Sequence, residues 1–155
     1  MNIPTEAAPI TAVAIQPRMI SDRVAVYAPM TDFLEASTMI TAIGNDVGFD
    51  HIFVRQIIAQ GRPGDSLIGI STSGNSANLV QAFRKAKEIG LRTIGLTGNT
   101  GGEMARIGLD HCLIVETDSI HRIQECHVAI YHILWDLVHT LLADERGNLH
   151  IRAAE

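Results

Sequence analysis

The stretch SLIGISTSGNSANLVQAFRKAKEIG, residues 66–90, decides the fold. A short apolar run with Ile and Leu, residues 66–70, reads as a buried strand. Residues 71–76 hold four hydroxyl side chains, Ser71, Thr72, Ser73 and Ser76, around a single glycine. From 77 to 89 the spacing changes to that of a helix, with Leu79, Val80, Phe83, Ala86 and Ile89 on one side, and Gly90 stands where a C-cap belongs. Strand, polar loop and helix in 25 residues are half of a βαβ unit.

The same grammar continues outward. Residues 91–96 form the next apolar run, 97–102 a second Gly-rich loop, and 111–116 a further strand after a short helical turn. A long helix is expected over 122–143. Upstream, residues 49–58 have helical spacing and stop at Gly61-Arg62-Pro63-Gly64-Asp65. Residues 31–43 are loosely helical, with Thr31 or Asp32 as N-cap, and residues 44–48 (Gly-Asn-Asp-Val-Gly) break the chain. Runs 10–15 and 23–28 read as strands, although the first suits a helix fragment equally well. The alternation predicts an α/β fold, a parallel sheet with helices on both faces, and places ligands at the carboxyl ends of the strands.

Composition sets bounds on function. A length of 155 residues with 46% hydrophobic content fits one domain with a full core. Twelve Lys and Arg against seventeen Asp and Glu leave a net charge of −5, and there is no basic run to follow a phosphate backbone, which disfavours nucleic acid as a partner. The first cation is Arg18, so no basic flank of a secretory signal is present. The apolar run 128–143 is interrupted by His132, Asp136 and His139 and is too short to span a bilayer. These features predict a cytoplasmic protein with no membrane partner. Cys112 and Cys126 read as free thiols in a reducing compartment, Cys126 packed against the sheet.

The loop 71–76 suits a phosphate monoester: hydroxyls and unpaired helix N-terminal amides donate to it without the bulk of Lys or Arg. It has neither the Lys of a P-loop nor a G-x-G-x-x-G dinucleotide fingerprint. A second reading stays open, in which Asn75 or Ser76 caps the helix and the other hydroxyls satisfy the turn.

The run Gly69-Ile70-Ser71-Thr72-Ser73-Gly74-Asn75-Ser76 resembles the signature of the SIS (sugar isomerase) domain family. Thr41-Ala42-Ile43-Gly44-Asn45-Asp46 with Gly48-Phe49, Leu96-Thr97-Gly98 with Gly101-Gly102, and Arg122-Ile123-Gln124-Glu125 with His127 and His132 resemble its phosphoheptose isomerase branch in the family's order. The resemblance covers residues 24–143, between an undefined segment 1–23 and a tail 144–155. It implies a three-layer flavodoxin-like parallel sheet and interconversion of sedoheptulose 7-phosphate with D-glycero-D-manno-heptose 7-phosphate through an enediol, toward the heptose of lipopolysaccharide. By resemblance, Asn45, Asp46, Ser71, Thr72, Ser73, Ser76 and Gln124 bind the phosphosugar and His132 is the acid/base. Gln124 and His132 match two of the family's four zinc positions, and a homotetramer is implied. Histidine suits such proton transfer near neutral pH, and Gln124, Val128 and His132 climb one helix in steps of four. His111, His127 and His139 read as packing or surface residues.

Against the family pattern, the chain shows no C-G-N-G-G-S loop and no following helix with a His and a Glu, so it reads as N-terminally shortened. An alternative is a non-catalytic SIS protein that senses phosphosugars or associates with a replication initiator.

Overall fold

In a computed structural model of the chain, residues 11–12 and 33–152 are described. The expected strand 23–28 and the proposed caps Thr31 and Asp32 lie outside these residues. The hydrophobic run after Pro63-Gly64 forms β2 (Ser66–Ser71), and the amphipathic segment beyond the hydroxyl loop forms α3 (Ala77–Glu88). The remaining elements are β1 (Thr11–Ala12), α1 (Phe33–Asp46), α2 (Ile52–Gln60), β3 (Arg92–Gly98), α4 (Gly102–Arg106), β4 (His111–Val115) and α5 (Ile120–Arg152). A 3-10 turn, Phe49–His51, leads into α2.

The sheet order is β1-β2-β3-β4. β2, β3 and β4 run parallel, with Ser71 level with Thr97 and Gly98 level with Val115. β1 departs from the all-parallel expectation. Its two residues pair antiparallel with Ile70 and Gly69, on the free side of β2.

Side chains alternate across a strand, so Gly95 and Gly98 look to opposite faces. A side chain at Gly95 would meet Met104 of α4, and one at Gly98 would meet Ile123 of α5. Helices therefore cover both faces, as expected for this class. On the α3 face, Leu79, Val80, Phe83 and Met104 form one buried cluster, and Ile57, Ala82, Ala86 and Leu91 another. Phe83 is fully buried at 0% exposure. Phe83→Ala is expected to lower unfolding free energy by about 3–5 kcal/mol in urea denaturation. A loss under about 1 kcal/mol would mean that the ring does not organise this core.

The main departures from the expected boundaries fall in four elements, α1, β2, β3 and α5. α1 continues through Gly44 and Asn45 to Asp46 and is closed by amides of Val47 and Gly48 that both donate to the Ile43 carbonyl. β2 and β3 run one and two residues further, because Ser71, Thr97 and Gly98 keep the ladder although they carry no apolar signal. α5 extends to Arg152, so most of the segment taken as a tail is helical.

At the amino ends of the strands, Asp110 ties β3 to the approach to β4. Its carboxylate accepts from the Thr93 hydroxyl at 2.8 Å and amide at 2.7 Å, while its own amide donates back to the hydroxyl. The Thr93 hydroxyl and amide hold the Asp110 carboxyl below its ordinary range. An open groove of about 470 Å³ lies at this end, lined by Ile94, Asp110, His111, Cys112, Leu113 and Leu134. Burial raises the Cys112 thiol, which argues against a reactive thiolate. The hydroxyl loop is at the opposite end of the sheet.

Candidate functional site

The hydroxyl loop leaves the carboxyl end of β2 and enters α3, as the alternation predicts. Ser71 and Thr72 are buried, Ser76 is half-buried and Ser73 is exposed. The Ser71 hydroxyl is a local hub: it lies 3.0 Å from the Ser76 hydroxyl and accepts the Gly74 amide at 3.1 Å. The Asn75 amide donates to the Ser73 hydroxyl at 3.2 Å. Ser71, Ser73 and Ser76 thus bond within one loop at the entrance of α3, and Thr72 is buried in the same loop.

Of the second reading, the structure shows one half: the Ser71 and Ser73 hydroxyls accept amides of the turn, whereas neither Asn75 nor Ser76 caps α3 with its side chain. Ser76 occupies the N-cap of α3 but makes no side-chain cap bond. The Asn75 side chain turns away from α3, and its Oδ1 accepts the Glu103 amide at 2.9 Å. The Leu79 amide is taken by Asn78 Oδ1 at 2.8 Å, but no side chain caps the turn before it. A helix start whose N-cap side chain leaves the first amides unbonded, preceded by a loop of hydroxyls, suits an anion's oxygens.

A second loop presses against the first. The Met104 amide donates to the Gly74 carbonyl at 2.9 Å, so α4 takes its own caps from the hydroxyl loop. Gly101 and Gly102 have φ of 84° and 57°, and a side chain at Gly102 would run into the backbone of Ser73 and Gly74. Two glycines in left-handed conformations are what allow the loops to touch. Both loops are visible in the sequence, but their contact is not. The Thr97 hydroxyl, buried without a partner beneath Gly74, is equally silent in the sequence. No local pattern marks either feature.

Helix α5 carries the remaining residues. Gln124 is half-buried near its start, close to the end of β3, while His132 is exposed eight residues on. That is about 12 Å along the helix axis. The His132 ring lies 4.5 Å from the Tyr131 ring, and no described hydrogen bond ties it to the hydroxyl loop. His127 is buried and bonds the Thr97 carbonyl, which agrees with a packing role. His139 contacts Trp135 edge-on and His111 is exposed. Cys126, expected against the sheet, is exposed instead, because Ile123 and His127 take the inward face. Asn45 and Asp46 sit exposed at the end of α1, joined by a 2.9 Å side-chain bond, and no described hydrogen bond links them to the loop.

The described residues do not fit a zinc site by themselves. Among them, no group of three or more His, Cys, Asp or Glu could hold a metal ion. Gln124 and His132 would supply two donors of the usual four, two helical turns apart.

Comparison with known proteins agrees with this geometry. The SIS domain profile matches residues 9–98. The chain belongs to the SIS domain family. Among curated relatives, this SIS chain is 50% identical to a phosphoheptose isomerase of Rhodospirillum rubrum over 106 residues, covering 68% of this chain and 56% of the relative. A phosphoheptose isomerase of Aneurinibacillus thermoaerophilus is 51% identical over 102 residues, 66% of this chain and 51% of the relative. The chain thus spans about half the length of the curated relatives it matches. Among solved structures, phosphoheptose isomerase from Neisseria gonorrhoeae superposes with a TM-score of 0.64 at 46% identity, covering 66% of this chain and 57% of that one. The enzyme from Francisella tularensis gives 0.67 at 36% identity, over 74% and 59%. The SIS sheet expected from the alternation and the resemblance is therefore the fold of these neighbours. No helix among the described residues is long and apolar enough to cross a membrane.

Proposed function

We propose that this SIS chain binds a phosphosugar and takes part in the aldose–ketose isomerisation of a heptose 7-phosphate. The observation that carries the reading is the entrance of α3, where a loop holding Ser71, Thr72, Ser73 and Ser76 runs into a helix whose N-cap side chain makes no cap bond. The relatives named above are phosphoheptose isomerases, which favours catalysis over a sensing or initiator-binding role.

In this reading the substrate's phosphate replaces the hydrogen bonds that the loop makes within itself. Its oxygens accept from the Ser and Thr hydroxyls and from the first amides of α3, which also present the positive end of the helix. The open-chain sugar extends toward α5. His132 takes the proton from the hydroxyl-bearing carbon next to the carbonyl, and the carbonyl oxygen gains a proton from water to give the enediol. The neighbouring hydroxyl then gives its proton to water and becomes the new carbonyl as His132 returns its proton to the former carbonyl carbon. Gln124 holds a hydroxyl or carbonyl oxygen, and Asn45 and Asp46 contact the sugar from α1. No step is assigned to zinc.

Catalysis also calls for the exposed α5 to be brought to a hydroxyl loop. That helix presents Val128, Tyr131, Ile133, Trp135, Leu137 and Leu141 to solvent, an apolar surface of the kind that marks interfaces. A homo-oligomer, a tetramer by family resemblance, covers it and sets the loop and α5 of different copies side by side. Sedimentation velocity is expected to show an assembly, and a clean monomer counts against this part of the reading. The cytoplasm and the heptose branch of lipopolysaccharide synthesis are the setting the reading implies. Its direct test is turnover of sedoheptulose 7-phosphate by the purified chain, followed by product analysis. No product, together with no binding, defeats it; binding without product leaves the sensing alternative standing.

A further inference from the structure

Among the described side chains of α5, His127 is the histidine that faces inward, at 3% exposure, and the isomerase reading gives it no task. Its Nε2 lies 3.1 Å from the Thr97 carbonyl oxygen. A carbonyl only accepts, so Nε2 donates, and a neutral ring then has its lone pair on Nδ1.

The residue at the other end of this bond is unusual. Thr97 is level with Ser71 in the sheet and is 0% exposed. Its hydroxyl has no partner and backs the turn of the hydroxyl loop, 2.6 Å from where a Gly74 side chain would begin. On one face Thr97 therefore supports the loop, and through its carbonyl it receives α5. One residue later, the bare Gly98 lets Ile123 pack onto the strand. Ile123 and His127 are four apart, so they lie on the same helical face. Gln124 lies between these two attachment points in sequence.

We propose that His127 is a positioning residue: by donating from Nε2 to the Thr97 carbonyl, it fixes the start of α5, and Gln124 with it, over the strand end that supports the phosphate loop. The van der Waals contact of Ile123 on Gly98 sets the distance between helix and strand. The directional bond from His127 sets the helix's rotation and its slide along the strand, which apolar packing alone leaves soft. The inference rests on the isomerase reading, since it assigns His127 a part in holding that site's geometry.

The test compares wild type, His127→Leu and His127→Gln in the full chain, with kcat and KM for sedoheptulose 7-phosphate and the melting temperature measured for each. Leu fills the space without a donor; the Gln amide nitrogen reaches about as far as Nε2. The Leu variant is expected to lose about 10- to 100-fold in kcat, the scale of a small misplacement of reacting groups. Its KM stays within about threefold, because the phosphate grip is on β2 and α3. The Gln variant recovers most of kcat even where its melting temperature is no higher than that of Leu. Equal kcat in all three, or losses that follow melting temperature alone, overturn the proposal. Long-range ¹⁵N spectra of the histidine rings give a second reading if Leu does not fold. They are expected to show His127 as the Nε2–H tautomer with a slowly exchanging ring proton, and an Nδ1–H tautomer or fast exchange overturns the proposal. If wild type turns nothing over, the isomerase reading fails, while the tautomer still reports whether the His127–Thr97 bond exists.

Discussion

His132→Gln is expected to reduce kcat for heptose 7-phosphate isomerisation by about 10²- to 10⁴-fold, the range that removal of a general acid/base produces. The enediol route requires one group to accept a proton from carbon and return it to the neighbouring carbon. A glutamine amide does neither near neutral pH, although it keeps hydrogen-bonding capacity and similar bulk. The phosphate is held elsewhere, on the α3 entrance, so KM is expected to move by no more than about threefold. Stability should also be nearly unchanged. His132 is exposed, its described contact is with the Tyr131 ring on the same helix, and exposed substitutions of this kind fall within about 0.5 kcal/mol. A large fall in kcat at constant melting temperature is therefore the signature. If His132→Gln turned over like wild type, the proton would have to be carried by another group, and the assignment of α5 as the catalytic helix would fall with it.

What could be read in advance, and what could not, follows from the range of the physical signals. The order of β2, β3, β4 and their helices was legible because each rests on a change of hydrophobic period within about ten residues. The strand ends were less legible. Ser71, Thr97 and Gly98 look like loop residues by composition, yet parallel pairing holds them in the ladder. The end of α1 was misplaced because Gly44 and Asn45 weaken a helix without forbidding it, and the break comes only at Gly48, with φ of 105°. Within the site, the four hydroxyls announced themselves by density. Whether Asn75 caps α3 or reaches α4 depends on a partner 28 residues away, which no local pattern records. The outward turn of Cys126 likewise depends on which face of α5 meets β3. His132 and Gln124 share a helix, but their approach to a hydroxyl loop depends on how copies of the chain assemble, which is a still longer-range property.

Gly74→Ala tests the loop itself and is expected to abolish measurable phosphosugar binding, at least about a 100-fold loss by calorimetry with sedoheptulose 7-phosphate. Two independent costs meet at this position. The backbone sits at φ 67°, where an L-residue with a Cβ is disfavoured by roughly 1–2 kcal/mol. The added methyl would also collide with the Gly101 carbonyl oxygen and lie 2.6 Å from the Thr97 hydroxyl oxygen. Most of this obstruction is backbone, so no rotamer change relieves it, and overpacking of this kind costs roughly 1–3 kcal/mol more. The chain can escape only by lifting the loop off α4. That movement breaks the Met104 amide bond to the Gly74 carbonyl and the Glu103 amide bond to Asn75, and it disperses the hydroxyls that Ser71 gathers. Ser73→Ala provides the contrast: its hydroxyl is exposed and accepts one amide, so its removal is expected to weaken binding by about tenfold with little change in melting temperature. The ordering matters more than either value. If Gly74→Ala bound the sugar phosphate as well as Ser73→Ala does, the anion would not sit in this turn, and the hydroxyls of residues 71–76 would be packing groups at the mouth of a sheet whose chemistry lies elsewhere.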